Sequence, residues 1–163
     1  MARSSPDSAV TLSVLDRLID NDPRTPGEPP LTRLQSVRQL REAVRRDLEW
    51  LLNTRRVAVP PPESLRELNR SVYAFGIPDF SGFSTAAPAG QAKLLRQLQA
   101  AVKIFEPRLA SVRVALLETG RPSAGKLRFR IEAMLVMDPA PEHISFDTVL
   151  ELTSGEYEVA NAG

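Results

Sequence analysis

Between residues 112 and 153 the chain falls three times into strict alternation, and that rhythm limits its fold more than any other feature. "VRVALLE" (112–118) sets Val112, Val114 and Leu116 against Arg113, Ala115 and Leu117. "LRFRIEAMLVM" (127–137) sets Leu127, Phe129, Ile131, Ala133, Leu135 and Met137 against Arg128, Arg130, Glu132, Met134 and Val136. "ISFDTVLELT" (144–153) sets Ile144, Phe146, Thr148, Leu150 and Leu152 against Ser145, Asp147, Val149, Glu151 and Thr153. Successive strand side chains point to opposite faces, so one apolar row per segment predicts an antiparallel sheet covered on one side. The connections "TGRPSAGK" and "DPAPEH" supply turn chemistry for a meander.

The cover must come from upstream. Residues 31–54 repeat Leu31, Leu34, Val37, Leu40, Val44, Leu48, Leu51 and Leu52 at three- and four-residue steps, which predicts an amphipathic helix. Its other faces are charged, and Glu42 and Arg46 are spaced for an i,i+4 pair. Residues 89–105 predict a second helix with Leu94, Leu95, Leu98, Ala101, Val102 and Phe105 on one face. The expectation is an α+β domain in which two amphipathic helices cover a small antiparallel C-terminal sheet. Between the helices, Val57–Val59 and Leu68–Tyr73 read as short extended pieces. The aromatics of "YAFGIPDFSGF" read as loop anchors tucked into the core.

Ahead of this domain the prolines organise the chain. Residues 1–9 are small and polar and are expected to be a disordered tail. "TLSVLDRLID" places Leu12, Leu15, Leu18 and Ile19 in one stripe of a short helix, and "NDPRTPGEPP" follows as a semi-rigid extended spacer. A helix this short is marginal alone, so its stripe packs on its own domain or in a groove on a partner. The expected division is therefore a tail (1–9), a short helix with a proline-rich linker (10–30), and a main domain (31–163).

Totals narrow the function. The net charge is +1, which gives no general case for nucleic acid or anionic membrane as partner. The chain has no cysteine, so a disulfide framework or thiolate metal site is excluded, and no cofactor or metal is expected. No apolar run reaches the ~20 residues of a membrane helix, and "MARSSPDSAV" lacks a signal-peptide core. A cytoplasmic location is expected. Charge is nonetheless uneven: residues 108–130 carry +5 and residues 138–163 carry −6. Neighbouring strands could neutralise one another, and a last strand at the edge would offer an acidic rim and unpaired backbone.

The join between second helix and first strand, "AAVKIFEPRLASVRVALLE", holds Glu106, Pro107 and Arg108. Proline stops the helix and drives the residue before it extended. The flanking charges admit three readings: a catalytic acid with its helper, a structural ion pair, or a docking element. Carboxylate chemistry of the glycosidase kind needs a second carboxyl about 5–9.5 Å away, and only Asp79 in the aromatic loop is a candidate. His143 is the sole histidine, too little for a triad or histidine metal site, and no Walker or dinucleotide glycine motif occurs. No small-molecule substrate is expected.

Four stretches in order, "SVLDRLID", "VRRDLEWLLNTRR", "SVYAFGIPDFS" and "IFEPRL", make the chain resemble the TssE family of type VI secretion baseplate subunits. That group belongs with a phage baseplate wedge protein once labelled a lysozyme. The resemblance covers roughly residues 10–155; the proline-rich linker and "TGRPSAGKL" do not map onto it. It implies a non-catalytic wedge subunit alongside TssF, TssG and TssK, offering its sheet as the starting layer for a contractile sheath of TssB and TssC. The family's Glu-Pro-Arg motif falls on Glu106, Pro107 and Arg108 and is associated with assembly contacts. Those residues, with Leu12, Leu15, Leu18 and Ile19, are the expected partner-binding positions. The alternatives are a wedge or adaptor component of another contractile phage-tail-like particle and, remotely, a peptidoglycan hydrolase. A double charge swap of Glu106 and Arg108 is expected to restore an internal pair but not a contact to a fixed partner.

Overall fold

The computed structural model describes residues 9–19, 24, 31–79, 88–117 and 125–162. The expected tail, apart from Ala9, and the proline-rich spacer, apart from Arg24, lie outside the described residues, as do Phe80 and Phe83. Helix α1 is Val14–Leu18, α2 is Arg33–Asn53 and α3 is Pro88–Phe105. Strands β1 (Leu109–Leu116), β2 (Lys126–Leu135), β3 (Glu142–Glu151) and β4 (Tyr157–Asn161) follow as an antiparallel meander in the order β1-β2-β3-β4.

The helix boundaries have local causes. Thr32 and Gln35 form a reciprocal capping box, each side chain accepting a backbone N–H of the other. Helix α3 opens on Pro88, where the missing N–H would be unpaired anyway, and it closes before Pro107. On α2 the residues Leu40, Val44, Leu48, Leu51 and Leu52 are buried, and on α3 Leu94, Leu98, Ala101 and Val102. The first turn departs from expectation: Leu34 is 85% exposed.

The expected sheet face is the one covered. Leu127, Phe129, Ile131, Ala133 and Leu135 of β2 meet Ile144, Phe146 and Leu150 of β3 in one core with both helices. Helix α3 packs over β1 and α2 over β4. On the open face the charge split is neutralised across the β2–β3 ladder: Arg130 pairs with Asp147 directly opposite at 2.6 Å, and Lys126 lies 3.8 Å from Glu151.

Two expectations are corrected. The segment expected as the last strand is interior, because Tyr157–Asn161 adds a fourth strand beyond it; β1 and β4 are the edges. That strand was missed because "YEVAN" is short, although Tyr157 and Val159 alternate as a buried row. The pieces 68–70 and 72–74 are 3-10 turns rather than extended chain, and Val57 and Val59 lie exposed outside any strand. Of the described loop aromatics, Phe75 packs edge-to-face on Phe105 with centroids 5.3 Å apart, while Tyr73 is exposed.

That loop is tied to the end of α2 by backbone alone: Arg56 N–H donates to Ile77 and Ile77 N–H donates to Thr54, both at 2.9 Å. Gly76 makes this approach possible, with φ +102° and a position where a Cβ would sit 2.4 Å from the Thr54 carbonyl oxygen. Gly155 also has positive φ, but a Cβ there would meet only the Arg55 side chain at 3.7 Å. Gly76→Ala is expected to cost about 2–3 kcal/mol in urea unfolding, and Gly155→Ala only about 1 kcal/mol. Equal losses would show that the backbone approach does not set the requirement.

Candidate assembly site at the helix–strand junction

The last turn of α3 closes through Glu106 N–H to Val102 at 2.9 Å, and Leu109 N–H then donates to the Glu106 carbonyl at 3.1 Å. This tight corner, with Pro107 at its outer side, turns the Glu106 side chain inward, where the residue is 4% exposed. Arg108 wraps back over it. Its Nε donates to one Glu106 carboxylate oxygen at 2.6 Å and its Nη2 to the other. The backbone N–H of Arg108 adds a longer bond at 3.3 Å.

The pair extends further than the sequence indicated. The Arg108 Nη2 also donates to Asp47 of α2 at 2.6 Å. The other Asp47 oxygen accepts from Arg46 at 2.8 and 2.9 Å. Arg46 in turn reaches Asp16 of α1 at 2.9 Å, and Asp16 accepts the Ser13 hydroxyl at 2.5 Å. Arg46 also lies 5.4 Å from the Trp50 ring centre, close enough for a cation–π contact. One chain of alternating charge therefore ties the α3–β1 corner to α2 and α1.

Electrostatics follow the geometry. Desolvation is the largest single influence on Arg108 and pulls its pKa down; hydrogen bonds and charge from Glu106, then Asp47, overcome it and leave the pKa raised. For Asp16, desolvation pushes up, but the Ser13 hydroxyl and the Arg46 guanidinium outweigh it and hold the carboxyl below its ordinary value. A buried pair left without one member costs far more than the intact pair contributes.

Several expected positions are now placed. Glu106 and Arg108 meet as an ion pair in which Glu106 is buried and Arg108 half-buried, with Pro107 exposed beside them. Leu12 packs against the core, whereas Leu15 and Leu18 are 52% and 76% exposed and Ile19 is also exposed. The helix α1 lies on its own domain through polar contacts, and just ahead of it Val10 N–H donates to the Ser36 hydroxyl at 2.9 Å. Beyond Leu12, the expected stripe does not bury. The expected Glu42–Arg46 pair is replaced: Glu42 binds Arg45 at 3.0 Å and Asn161 at 2.6 Å, which frees Arg46 for Asp47 and Asp16.

Sequence reasoning missed Asp47 and Trp50, and it assigned Arg46 to Glu42 rather than to Asp47 and Asp16. Asp47 stands 61 residues from Arg108, and helical spacing speaks only to neighbours three and four positions away. Trp50 is 58% exposed and lines a shallow groove with Leu51, Phe75, Phe105 and Pro107 beside the ion pair. Asp47 also alters the charge-swap expectation. Exchanging Glu106 and Arg108 would set a carboxylate at position 108 against Asp47, so the swap cannot restore the original balance.

The carboxylates do not assemble as an acid–base pair. Both Glu106 oxygens are held by Arg108, and Asp79 lies exposed 3.6 Å from Arg55. Among the described residues no group of three or more His, Asp or Glu is gathered as for a metal ion, and no helix is long and apolar enough to cross a membrane.

Helix α3, packed on a four-stranded meander, ends in a corner fixed by Glu106, Pro107 and Arg108. The family model described as Baseplate wedge protein gp25 matches residues 38–140, from the second turn of α2 through the junction to the turn after β2. That is more than half of the chain, and the chain belongs to this family, as a structural baseplate component of a contractile phage-tail-like system. A search of curated proteins finds no match.

Glu106→Ala is expected to cost about 3–5 kcal/mol in urea unfolding, since Arg108 loses its main partner in a desolvated corner. Glu151→Ala, which removes the exposed partner of Lys126, is expected to cost under about 1 kcal/mol. Comparable small losses in both would show the corner pair to be superficial.

Proposed function

We propose that this chain is a TssE-type subunit of a type VI secretion baseplate wedge. In this reading it sits alongside TssF, TssG and TssK and helps attach and nucleate a contractile sheath of TssB and TssC. The observation that carries the reading is the Glu106–Pro107–Arg108 corner. It lies inside the matched family span, and its charges are used inward, leaving Pro107 and the Trp50 groove as a rigid outward surface. A surface set on a locked corner loses little freedom on binding, which favours assembly.

Within this reading Glu106 and Arg108 hold the corner while Pro107 is presented with the groove. Leu12, Leu15, Leu18 and Ile19 belong to a second contact, in which Leu12 seats α1 and the other three face the partner. The sheath would meet a sheet edge, where an added strand gains main-chain hydrogen bonds. Of the two edges, β1 is interrupted by a register shift between Ala110 and Arg113 with Ser111 at φ +54°. Such a bulge discourages pairing; on β4, Asn53 bonds both the N–H and the carbonyl of Tyr157 and Arg45 donates to the Val159 carbonyl, so a strand added there would have to displace these side chains of α2. The work is done in the cytoplasm, at the membrane-docked baseplate, without catalysis or cofactor. A wedge or adaptor role in another contractile particle uses the same surfaces; genomic neighbourhood separates the two. The hydrolase alternative finds no support in a Glu106 whose carboxylate is held by arginine.

Tagged chain co-expressed with TssF, TssG and TssK is expected to retain them on purification. Trp50→Ala, which should leave the fold intact, is expected to weaken retention by about tenfold if Trp50 anchors the contact. Wild-type chain that retains none of the three contradicts the proposal.

A further inference from the structure

Helix α1 sits on its domain with the usual amphipathic order reversed. Its carboxylate, Asp16, faces inward to Arg46 and the Ser13 hydroxyl, while Val14, Leu15, Leu18 and Ile19 are exposed. Single exposed apolar side chains are ordinary; four within six residues form a patch. A helix this short is unstable alone, so the ionic clasp sets which side faces out. The side turned outward is the apolar one.

Beside the patch runs a groove between α1 and α2, with Leu12, Ile19 and Leu31 in its lining and Arg17 and Arg38 among its cations. The two carboxylates of this groove are already engaged: Asp16 binds Arg46, and Glu42 binds Arg45. These contacts occupy Arg45 and Arg46 as well. Arg17 and Arg38 make no ion pair among the described residues, and the field of Arg38 reaches Glu42 without a bond. The surface thus combines apolar side chains with two cations whose charge is not locally balanced.

We propose that α1 and the adjoining groove form one docking surface for a protein segment that is apolar at its centre and carries carboxylates at its border. The apolar centre covers Leu15, Leu18 and Ile19, and the carboxylates meet Arg17 and Arg38. Charge complementarity selects this partner: an apolar segment with a basic border would be repelled, and one with no charge would leave two cations partly desolvated. The proposal rests on the wedge reading, which makes TssF, TssG or TssK the source of the segment. An anionic bilayer shares the chemistry, but five helical residues offer little area compared with interfacial helices.

The test uses the full tagged chain co-expressed with TssF, TssG and TssK. Three forms are compared: wild type, Arg17→Glu with Arg38→Glu, and Leu15→Ser with Leu18→Ser. All four positions are exposed, so circular dichroism and thermal midpoint should be unchanged. Wild-type retention should fall as salt rises from about 0.05 to about 0.5 M. Each double variant should retain the partner about tenfold more weakly, and the charge-reversed form should lose the salt dependence. Equal, salt-independent retention by all three forms overturns this inference while leaving the wedge reading standing. Wild type that retains none of the three subunits overturns both. Wild type that instead binds anionic vesicles, with loss in the charge-reversed form, overturns the choice of a protein partner.

Discussion

Arg108 is the cation on which the rest of this architecture depends. It lies against a nearly buried carboxylate, Glu106, and reaches a second one, Asp47, on another helix. Neither carboxylate alone explains the geometry. Glu106 fixes the chain reversal at the end of α3, and Asp47 fixes that reversal against α2. Since α3 packs on β1 and α2 on β4, the same guanidinium sets how the two covering helices meet over opposite edges of the sheet. Charges in such a place are expensive to desolvate. Bonding of both Glu106 oxygens and the second contact to Asp47 offset that cost, and the proline between the charged residues keeps the chain from straightening.

The network then continues outward with diminishing burial. Arg46 shares Asp47 with Arg108 and clasps Asp16, so α1 is held by charge rather than by its apolar stripe. In the proposed wedge reading, the charged network supplies the rigid body, and the exposed apolar residues are the surfaces offered to neighbours. The core under the sheet is complete, with Phe129 and Phe146 fully buried. The apolar residues left exposed lie on α1, beyond Asp16, and around Trp50, whose ring lies against Arg46 in the middle of the charged chain.

Much of this was legible in the sequence, and the division has a physical cause. Alternation announced β1, β2 and β3 because a half-covered sheet imposes period two, and three- and four-residue steps announced α2 and α3. The Glu-Pro-Arg corner could be located because proline acts on its immediate neighbours. Strand β4 escaped because five residues give too short a pattern. The role of Asp47 escaped because its partner is distant in the chain, and local spacing suggested Glu42 for Arg46 instead. The orientation of α1 escaped for a related reason: an apolar stripe predicts burial, and only the long-range contact between Asp16 and Arg46 reverses it.

The central claim is that Arg108 joins the junction to α2 through Asp47 and does not merely cover Glu106. The most direct measurement is a double-mutant cycle of Asp47→Ala and Arg108→Ala, with each form unfolded in urea. Coupling of about 1–3 kcal/mol is the predicted result. Additive losses, with coupling near zero, would contradict it, since α2 and the corner would then be held together by apolar packing alone.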